Sequence, residues 1–272
     1  MKKINKVSKI MVLAVTCIGI LGLAACGNKE KEKESVEIDK IVVAASNSSM
    51  PSSFVEDGVH KGFEVDLWNA ISEGTGIKVE YELGEFSSLF GYLDSGKADT
   101  VANLVTITDQ RKEKYNFSTP YAYISQNLVV NADKKDINKI VDINGLSCAY
   151  VAGSNSGPLF EQLAEEKGIT IDLQVFESGA PMMTAFNAGK VNVIIAAENE
   201  ANFRISAGTL NGRIVEESIN VATEAYPFAK DNERSDAINE KVSKAIEVLR
   251  ENGKLGELSN KWYSKDYSNE IK

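Results

Sequence analysis

The sequence predicts an α/β protein made of two similar units, each a mostly parallel sheet flanked by helices. Short apolar runs alternate with segments of helical spacing from residue 40 to residue 105, the pattern of strands joined by crossover helices. The alternation breaks off in "RKEKYNFSTPYAYISQNLVVNAD" and restarts near residue 145 with the same rhythm. The chain then closes on helical spacing alone, over "DAINEKVSKAIEVLRENGKLGELSNKWY".

In the first unit "KIVVAAS" (40–46) is an apolar run that reads as a buried strand. "GFEVDLWNAISEGTG" (62–76) places Phe63, Leu67, Trp68 and Ile71 on one face of a helix closed by glycines. "IKVEYEL" (77–83) alternates like a strand, "FSSLFGYLDSGKA" (86–98) supplies a helix stopped at Gly96, and "DTVANLV" (99–105) is a third strand. In a parallel sheet of this kind ligands collect at the carboxyl ends of the strands. The second unit repeats the order: strand 145–154, helix 157–168, strand 172–178, helix 180–190, strand 191–198. In the final helices Ile238, Val242, Ile246 and Leu249 share a face, followed by Leu255, Leu258 and Trp262. These helices must bury that face somewhere, and a return to the first unit is the economical solution.

The ends of the chain restrict its location. "MKKINKVSKIMVLAVTCIGILGLAAC" has lysines, no acid, and an apolar stretch too short for a comfortable membrane span, which reads as a secretory signal. Its Leu-Ala-Ala-Cys ending resembles a bacterial lipobox, which implies that Cys26 becomes the lipidated first residue; an uncleaved anchor is the alternative. "GNKEKEKES" has no apolar residue and reads as a flexible tether. Of 30 basic and 39 acidic residues, removal of Lys2, Lys3, Lys6 and Lys9 leaves 26 against 39, a net of −13. Such a surface argues against nucleic acid or anionic lipid as ligand. Cys17 leaves with the signal and Cys26 carries lipid, so Cys148 alone remains and no internal disulfide is possible.

The stretch "NLVTITDQR" (103–111) puts Asn103 and Thr106 at a strand end, Thr108 where a helix cap belongs, and Arg111 on the first helical turn. A guanidinium offers the planar two-point fork that a carboxylate needs when taken out of water. A capped helix with a solvated arginine is the other reading of the same residues. "AGSNSGPLF" places Ser154 and Asn155 just before a helix, where amides and hydroxyls attract a carboxylate or simply cap the helix. Phe86, at a helix start, is suited either to a cleft or to the core.

Across nearly the whole chain after the tether, the order "SSFVEDGVHKGFEVDLWNAI", "LFGYLDSGKADTVANLVTITDQRKEKYNFSTPY", "LVV", "GSNS", "FNAGKVNVIIAA" and "ENGKLGELSNKWY" resembles the solute-binding proteins of polar amino-acid ABC importers. The resemblance implies a type II periplasmic-binding-protein-like fold, with two lobes joined by two crossing strands that close on ligand by hinge bending. It divides the chain into a signal peptide (1–25), a lipidated N-terminus and tether (26–37), a first lobe (38–126 with 226–272) and a second lobe (127–225). It implies that Arg111, Thr106 and Asn103 hold the ligand carboxylate, that Ser154 and Asn155 clamp it from the facing lobe, and that Phe86 lies along the ligand side chain. The family's usual aspartate for the α-ammonium falls here on Ala197, and the usual aromatic ahead of Pro51 falls on Ser49. Glu198 is next to Ala197, but adjacent strand residues face opposite ways, so its use requires a bulge or twist. Asp66 is a second acid of interest, though on an amphipathic helix it suits solvent or a cap. The text around "ANLVTITDQRKEKYNFSTPYAY" is most similar to the cystine branch.

The expectation is therefore a lipid-anchored extracytoplasmic receptor that binds a polar amino acid, cystine or a relative, and delivers it to an ABC permease and its ATPase. It is expected to be a monomer without a cofactor and not an enzyme. The lone His60 lies in a turn, Cys148 lies in an apolar strand, and no metal-ligand spacing or phosphate loop is present. A ligand-sensing lipoprotein or adhesin on the same fold, or a dehydratase-like enzyme, is the alternative.

Overall fold

The computed structural model of the protein describes residues 37–270. The expected signal peptide, the lipidated Cys26 and nearly all of the tether lie outside the described residues.

The chain opens with β1 (Lys40–Ser46) and a small antiparallel sheet of β2 (Ser48–Ser49), β3 (Ser53–Glu56) and β4 (Val59–Lys61). Gly62 then joins that sheet to α1 (Phe63–Thr75) at φ 135°, where an added Cβ would stand 2.3 Å from the Ser52 carbonyl oxygen. No side chain fits there, so α1 starts hard against the small sheet, its Phe63 and Glu64 amides donating to the Pro51 and Ser52 carbonyls at 3.2 and 2.9 Å. Phe63, Leu67, Trp68 and Ile71 are all buried, as their spacing predicts, and Gly76 ends the helix in the left-handed conformation. β5 (Lys78–Gly84), α2 (Phe86–Asp94) and β6 (Thr100–Ala102) complete a parallel sheet of order β5-β1-β6.

β6 is shorter than the apolar run suggests. Leu104 takes φ 48°, which turns the chain out of the sheet, and its amide donates to Glu64 Oε1 at 2.7 Å. A charge-assisted bond to a buried carboxylate offsets the cost of about 1–2 kcal/mol for a left-handed leucine. Next come α3 (Asp109–Lys114), β7 (Tyr115–Phe117) and the long β8 (Ala122–Asn131).

The second sheet follows a 3₁₀ turn at Ile140–Ile143: β9 (Ser147–Val151), α4 (Ser156–Lys167), β10 (Asp172–Phe176), α5 (Gly179–Asn187), β11 (Val193–Ala197), α6 (Glu198–Ser206) and β12 (Gly212–Glu224). Its order is β10-β9-β11-β8-β12, parallel through β11 and antiparallel where β8 and β12 join. β8 belongs to both halves of the molecule: Ile124 packs in the core around α1, while Leu128 and Val130 pack in the core beneath α4. β12 runs beside β8 over 13 residues with two register shifts.

After β13 (Pro227–Ala229), which pairs with β7, the chain ends in α7 (Glu233–Glu251) and α8 (Lys254–Tyr263). Asn232 caps α7 through its side chain at 3.0 Å, and Ile238, Val242, Ile246 and Leu249 enter the core that also holds Phe63, Leu67, Trp68 and Ile71. Asp66 ties α8 to α1, accepting from Trp262 Nε1 at 2.7 Å and Lys261 Nζ at 2.6 Å. The terminal helices thus cover the first sheet, as the economy of burial requires. Among the described residues no helix is long and apolar enough to cross a membrane.

Candidate functional site

The carboxyl ends of the parallel strands from both sheets surround one pocket. Ser48 and Ser49 come from beyond β1, Glu85 and Phe86 from beyond β5, and Asn103, Leu104 and Thr106 from beyond β6. Facing them are Tyr150, Val151, Ser154 and Asn155 at the end of β9, Gly179 after β10, and Ala197 at the end of β11. Gln126 of β8 and Glu224 of β12 line the pocket where the two halves join. Strand order and chain direction produce this meeting place, because each parallel strand hands its last residue to the same edge.

Thr108 caps α3 as its position predicts, its hydroxyl accepting from the Arg111 amide at 3.2 Å. Arg111 is not among the residues that line the pocket; its side chain turns back onto backbone carbonyls next to the lining residues Thr106 and Ser154. Its Nη1 donates to the Thr106 carbonyl at 2.8 Å, its Nη2 reaches the Gly153 carbonyl of the other half at 3.1 Å, and its guanidinium lies 4.9 Å from the Phe90 ring centre. The fork therefore bridges the β6 and β9 loops through backbone oxygens. Asn103 and Ser154 both line the pocket, and Asn103 Oδ1 and Ser154 Oγ are buried without a hydrogen-bond partner. Asn155, at the head of α4, makes no capping bond and instead donates to Gln126 Oε1 at 3.4 Å. Phe86 lines the pocket while meeting Phe90 edge-on at 6.2 Å, so it serves both the pocket wall and the core margin.

Two expectations need correction. Glu198 does not face the pocket: as the first residue of α6 it pairs with Lys265 Nζ at 3.1 Å, because β11 ends at Ala197 without a bulge and its neighbour points away. The Thr106 hydroxyl, expected to donate to a ligand, donates to Glu224 Oε1 at 3.1 Å, and a hydroxyl has only one proton to give. Asp66 is engaged with α8 and stands apart from the pocket lining.

The residues that sequence reading missed are Glu224, Gln126, Glu200 and Arg204, all of which line the pocket. The α6 pair joins Arg204 Nε to Glu200 Oε1 at 2.8 Å. Glu224 is only 2% exposed, and its Oε2 has no partner. Burial pushes its carboxyl up to about 8; the Thr106 bond and the Arg111 charge pull it down, and nearby Glu64 pushes it further up. Arg111 is itself lowered by burial and held up by Glu224 and Tyr115. Glu64 sits behind the pocket, raised by burial against the opposing pull of its bonds from Leu104, Tyr121 and Tyr226. In "VATEAY" positions 222, 224, 225 and 226 are all buried, so no simple alternation in the sequence marks Glu224 as facing inward.

The buried Cys148 is a free thiol pushed up to about 12 by burial, so it is not a nucleophile at neutral pH. Among the described residues no group of His, Cys, Asp and Glu is placed to hold a metal ion.

The chain matches known proteins over most of its length. The model of the bacterial extracellular solute-binding proteins, family 3, matches residues 41–265. The chain belongs to this family. Family 3 relatives include the probable amino-acid-binding protein YxeM of Bacillus subtilis, 35% identical over 98% of this chain and 99% of that protein. The L-cystine-binding protein TcyA of the same organism is 27% identical over 96% of this chain and 99% of its own length. Among solved structures, a putative L-cystine ABC transporter protein from Listeria monocytogenes superposes with a TM-score of 0.77 at 23% identity, covering 85% of this chain and 99% of that one. The last of these supports the type II periplasmic-binding-protein fold.

Proposed function

We propose that this family 3 protein is a lipid-anchored extracytoplasmic receptor that binds a polar amino acid between two lobes, 38–126 with 226–272 and 127–225, and delivers it to an ABC permease without altering it. The observation that carries the reading is the pocket itself. At the joined strand ends three buried polar atoms, Asn103 Oδ1, Ser154 Oγ and Glu224 Oε2, lack partners in the protein. Buried polar groups are nearly always satisfied, so orphans gathered in one pocket point to a polar ligand that completes them. Arg111 lies outside the lining with its fork on the Thr106 and Gly153 carbonyls, so a ligand carboxylate that claims it from the pocket exchanges one set of acceptors for a better one. In this reading Arg111 and Asn103 meet the ligand from one lobe, with the Thr106 hydroxyl engaged on Glu224, Ser154 and Asn155 meet it from the other, and Phe86 packs along its side chain.

Cystine or a related amino acid is the first candidate. Cystine-binding proteins stand among the relatives beside arginine- and histidine-binding ones, and the Glu200–Arg204 pair offers an acceptor and a donor to a second charged end of the ligand. The test is a thermal-shift panel on the full chain, stripped of carried ligand, with the protein amino acids, cystine and simple carboxylates. A ligand at a thousand times its dissociation constant adds about 4 kcal/mol, roughly 8–16 °C at this size. Recovery of the ligand unchanged after long incubation is expected of a carrier. Silence across the panel refutes the amino-acid reading and favours a sensor or adhesin.

A further inference from the structure

Three carboxylates line the pocket, Glu85, Glu200 and Glu224, and the family resemblance gives none of them a role. Glu224 ends β12, is 2% exposed and lines the pocket. One of its oxygens takes the Thr106 proton; Oε2 is buried and takes none. The other acids of the lining are differently placed. Glu85 is half-buried and accepts from Ser48 Oγ at 3.1 Å, and Glu200, also half-buried, is engaged with Arg204. The end of β11 offers no acceptor side chain, since residue 197 is alanine, and Glu198 is turned onto Lys265.

A ligand ammonium brings three donors and a positive charge. Among the lining residues the buried oxygens without a partner are Glu224 Oε2, Asn103 Oδ1 and Ser154 Oγ, and only the first belongs to a carboxylate. We propose that Glu224 receives the α-ammonium of the ligand, from the β12 side of the pocket, in place of the residue that β11 lacks. The assignment rests on the amino-acid reading above and sharpens it, because it restricts the ligand class to molecules bearing a protonated amine beside the carboxylate.

The proton on Glu224 supplies an independent reading of the same event. Burial pushes its carboxyl up to about 8, beside Arg111 of α3, Glu64 of α1, Tyr121 and the Thr106 hydroxyl, with Glu85, Glu200 and Arg204 elsewhere in the lining. At neutral pH it holds a proton much of the time, and an arriving ammonium requires the ionised form. Binding therefore releases a proton from Glu224 to the buffer, and affinity for an amino acid rises by up to about tenfold per pH unit between pH 6 and 8.

The experiment is titration calorimetry of the full chain and of Glu224→Gln. The probes are the protein amino acids and cystine, with the matching α-hydroxy acids, in two buffers of different protonation enthalpy. Expected are proton release and tight binding of one amino acid by the wild type. The Gln variant should bind it at least about thirtyfold more weakly, release no proton, and no longer distinguish it from the hydroxy acid. Equal weakening toward both probes, or undiminished amino-acid binding with the same proton release, overturns the assignment while leaving the receptor reading intact. Should the variant not fold, the wild-type pH profile decides: a flat affinity from pH 6 to 8 overturns it. A wild type that binds no amine-bearing probe overturns both.

Discussion

Glu64 and Glu224 are both fully enclosed carboxylates on the same side of the molecule, and the fold treats them in opposite ways. Glu64 accepts from the Leu104 amide and from the hydroxyls of Tyr121 and Tyr226 at 2.7–2.8 Å. Glu224 accepts from Thr106 alone and leaves its second oxygen buried without a partner. The first is a fastener: it joins α1 to the turn after β6 and to the aromatic pair Tyr121–Tyr226, stacked at 4.4 Å. The second is a vacancy in the hydrogen-bond network. A buried acid with all its bonds made belongs to the scaffold, whereas one left short belongs to whatever enters beside it.

The largest effect that can break this contrast is on stability. Glu64→Ala leaves two tyrosine hydroxyls and an amide buried without acceptors and is expected to cost about 3–5 kcal/mol, roughly 6–20 °C in Tm. Glu224→Gln removes no more than one bond and a confined charge, so the unliganded protein should melt within a few degrees of wild type or higher. Comparable losses in thermal unfolding of the two variants would erase the distinction.

Next in size is Arg111→Ala, expected to weaken ligand binding at least about a hundredfold, close to 3 kcal/mol by calorimetry. It should cost the unliganded protein less, about 1–2 kcal/mol, since two bonds to backbone carbonyls and the contact with Phe90 are lost. A stability loss as large as that of Glu64→Ala would place the arginine with the scaffold.

Acidity sharpens the contrast further. Glu224 is raised from its ordinary 4.5 to about 8, so the folded state holds its proton more tightly than the unfolded state. Its contribution is complete below about pH 4.5 and is lost as pH rises toward 8, at no more than about 1.4 kcal/mol per unit. Stability of the unliganded wild type should therefore fall more steeply from pH 5 to 8 than that of Glu224→Gln. Parallel denaturation curves across that range would refute it. The smallest effect is at Glu198, whose partly exposed pair with Lys265 is worth less than about 1 kcal/mol. Glu198→Ala should leave both melting and ligand affinity nearly unchanged, and a loss of binding would return that residue to the site.

What the sequence reveals of this molecule is its local physics. The buried faces of α1 and α7 follow from apolar spacing, the cap at Thr108 from its place before a charged helix, and the strand ends from the alternation. The turn that shortens β6 was hidden because it depends on Glu64, forty residues earlier in the chain and reached only through the fold. α6 was missed because "ENEANFRIS" buries only Asn199 and Ala201 and so lacks an apolar stripe. The motif "NLVTITDQR" reads as a cradle for a carboxylate, but Thr106 finds its acceptor 118 residues away. Pairing at that separation has no periodicity to read, and with it went the engagement of the hydroxyl and the place of Glu224.

The terminal helices have a consequence for how the molecule is completed. The face that α1 presents, with Phe63, Leu67, Trp68 and Ile71, is covered by Ile238, Val242, Ile246, Leu255 and Leu258. Emergence order and completion order are therefore different: the half that leaves the ribosome first finishes last, waiting for the final turn of synthesis to supply its lid. Until then its largest apolar surface has no covering, and a chain cut short before α7 is left with an open core rather than a smaller protein.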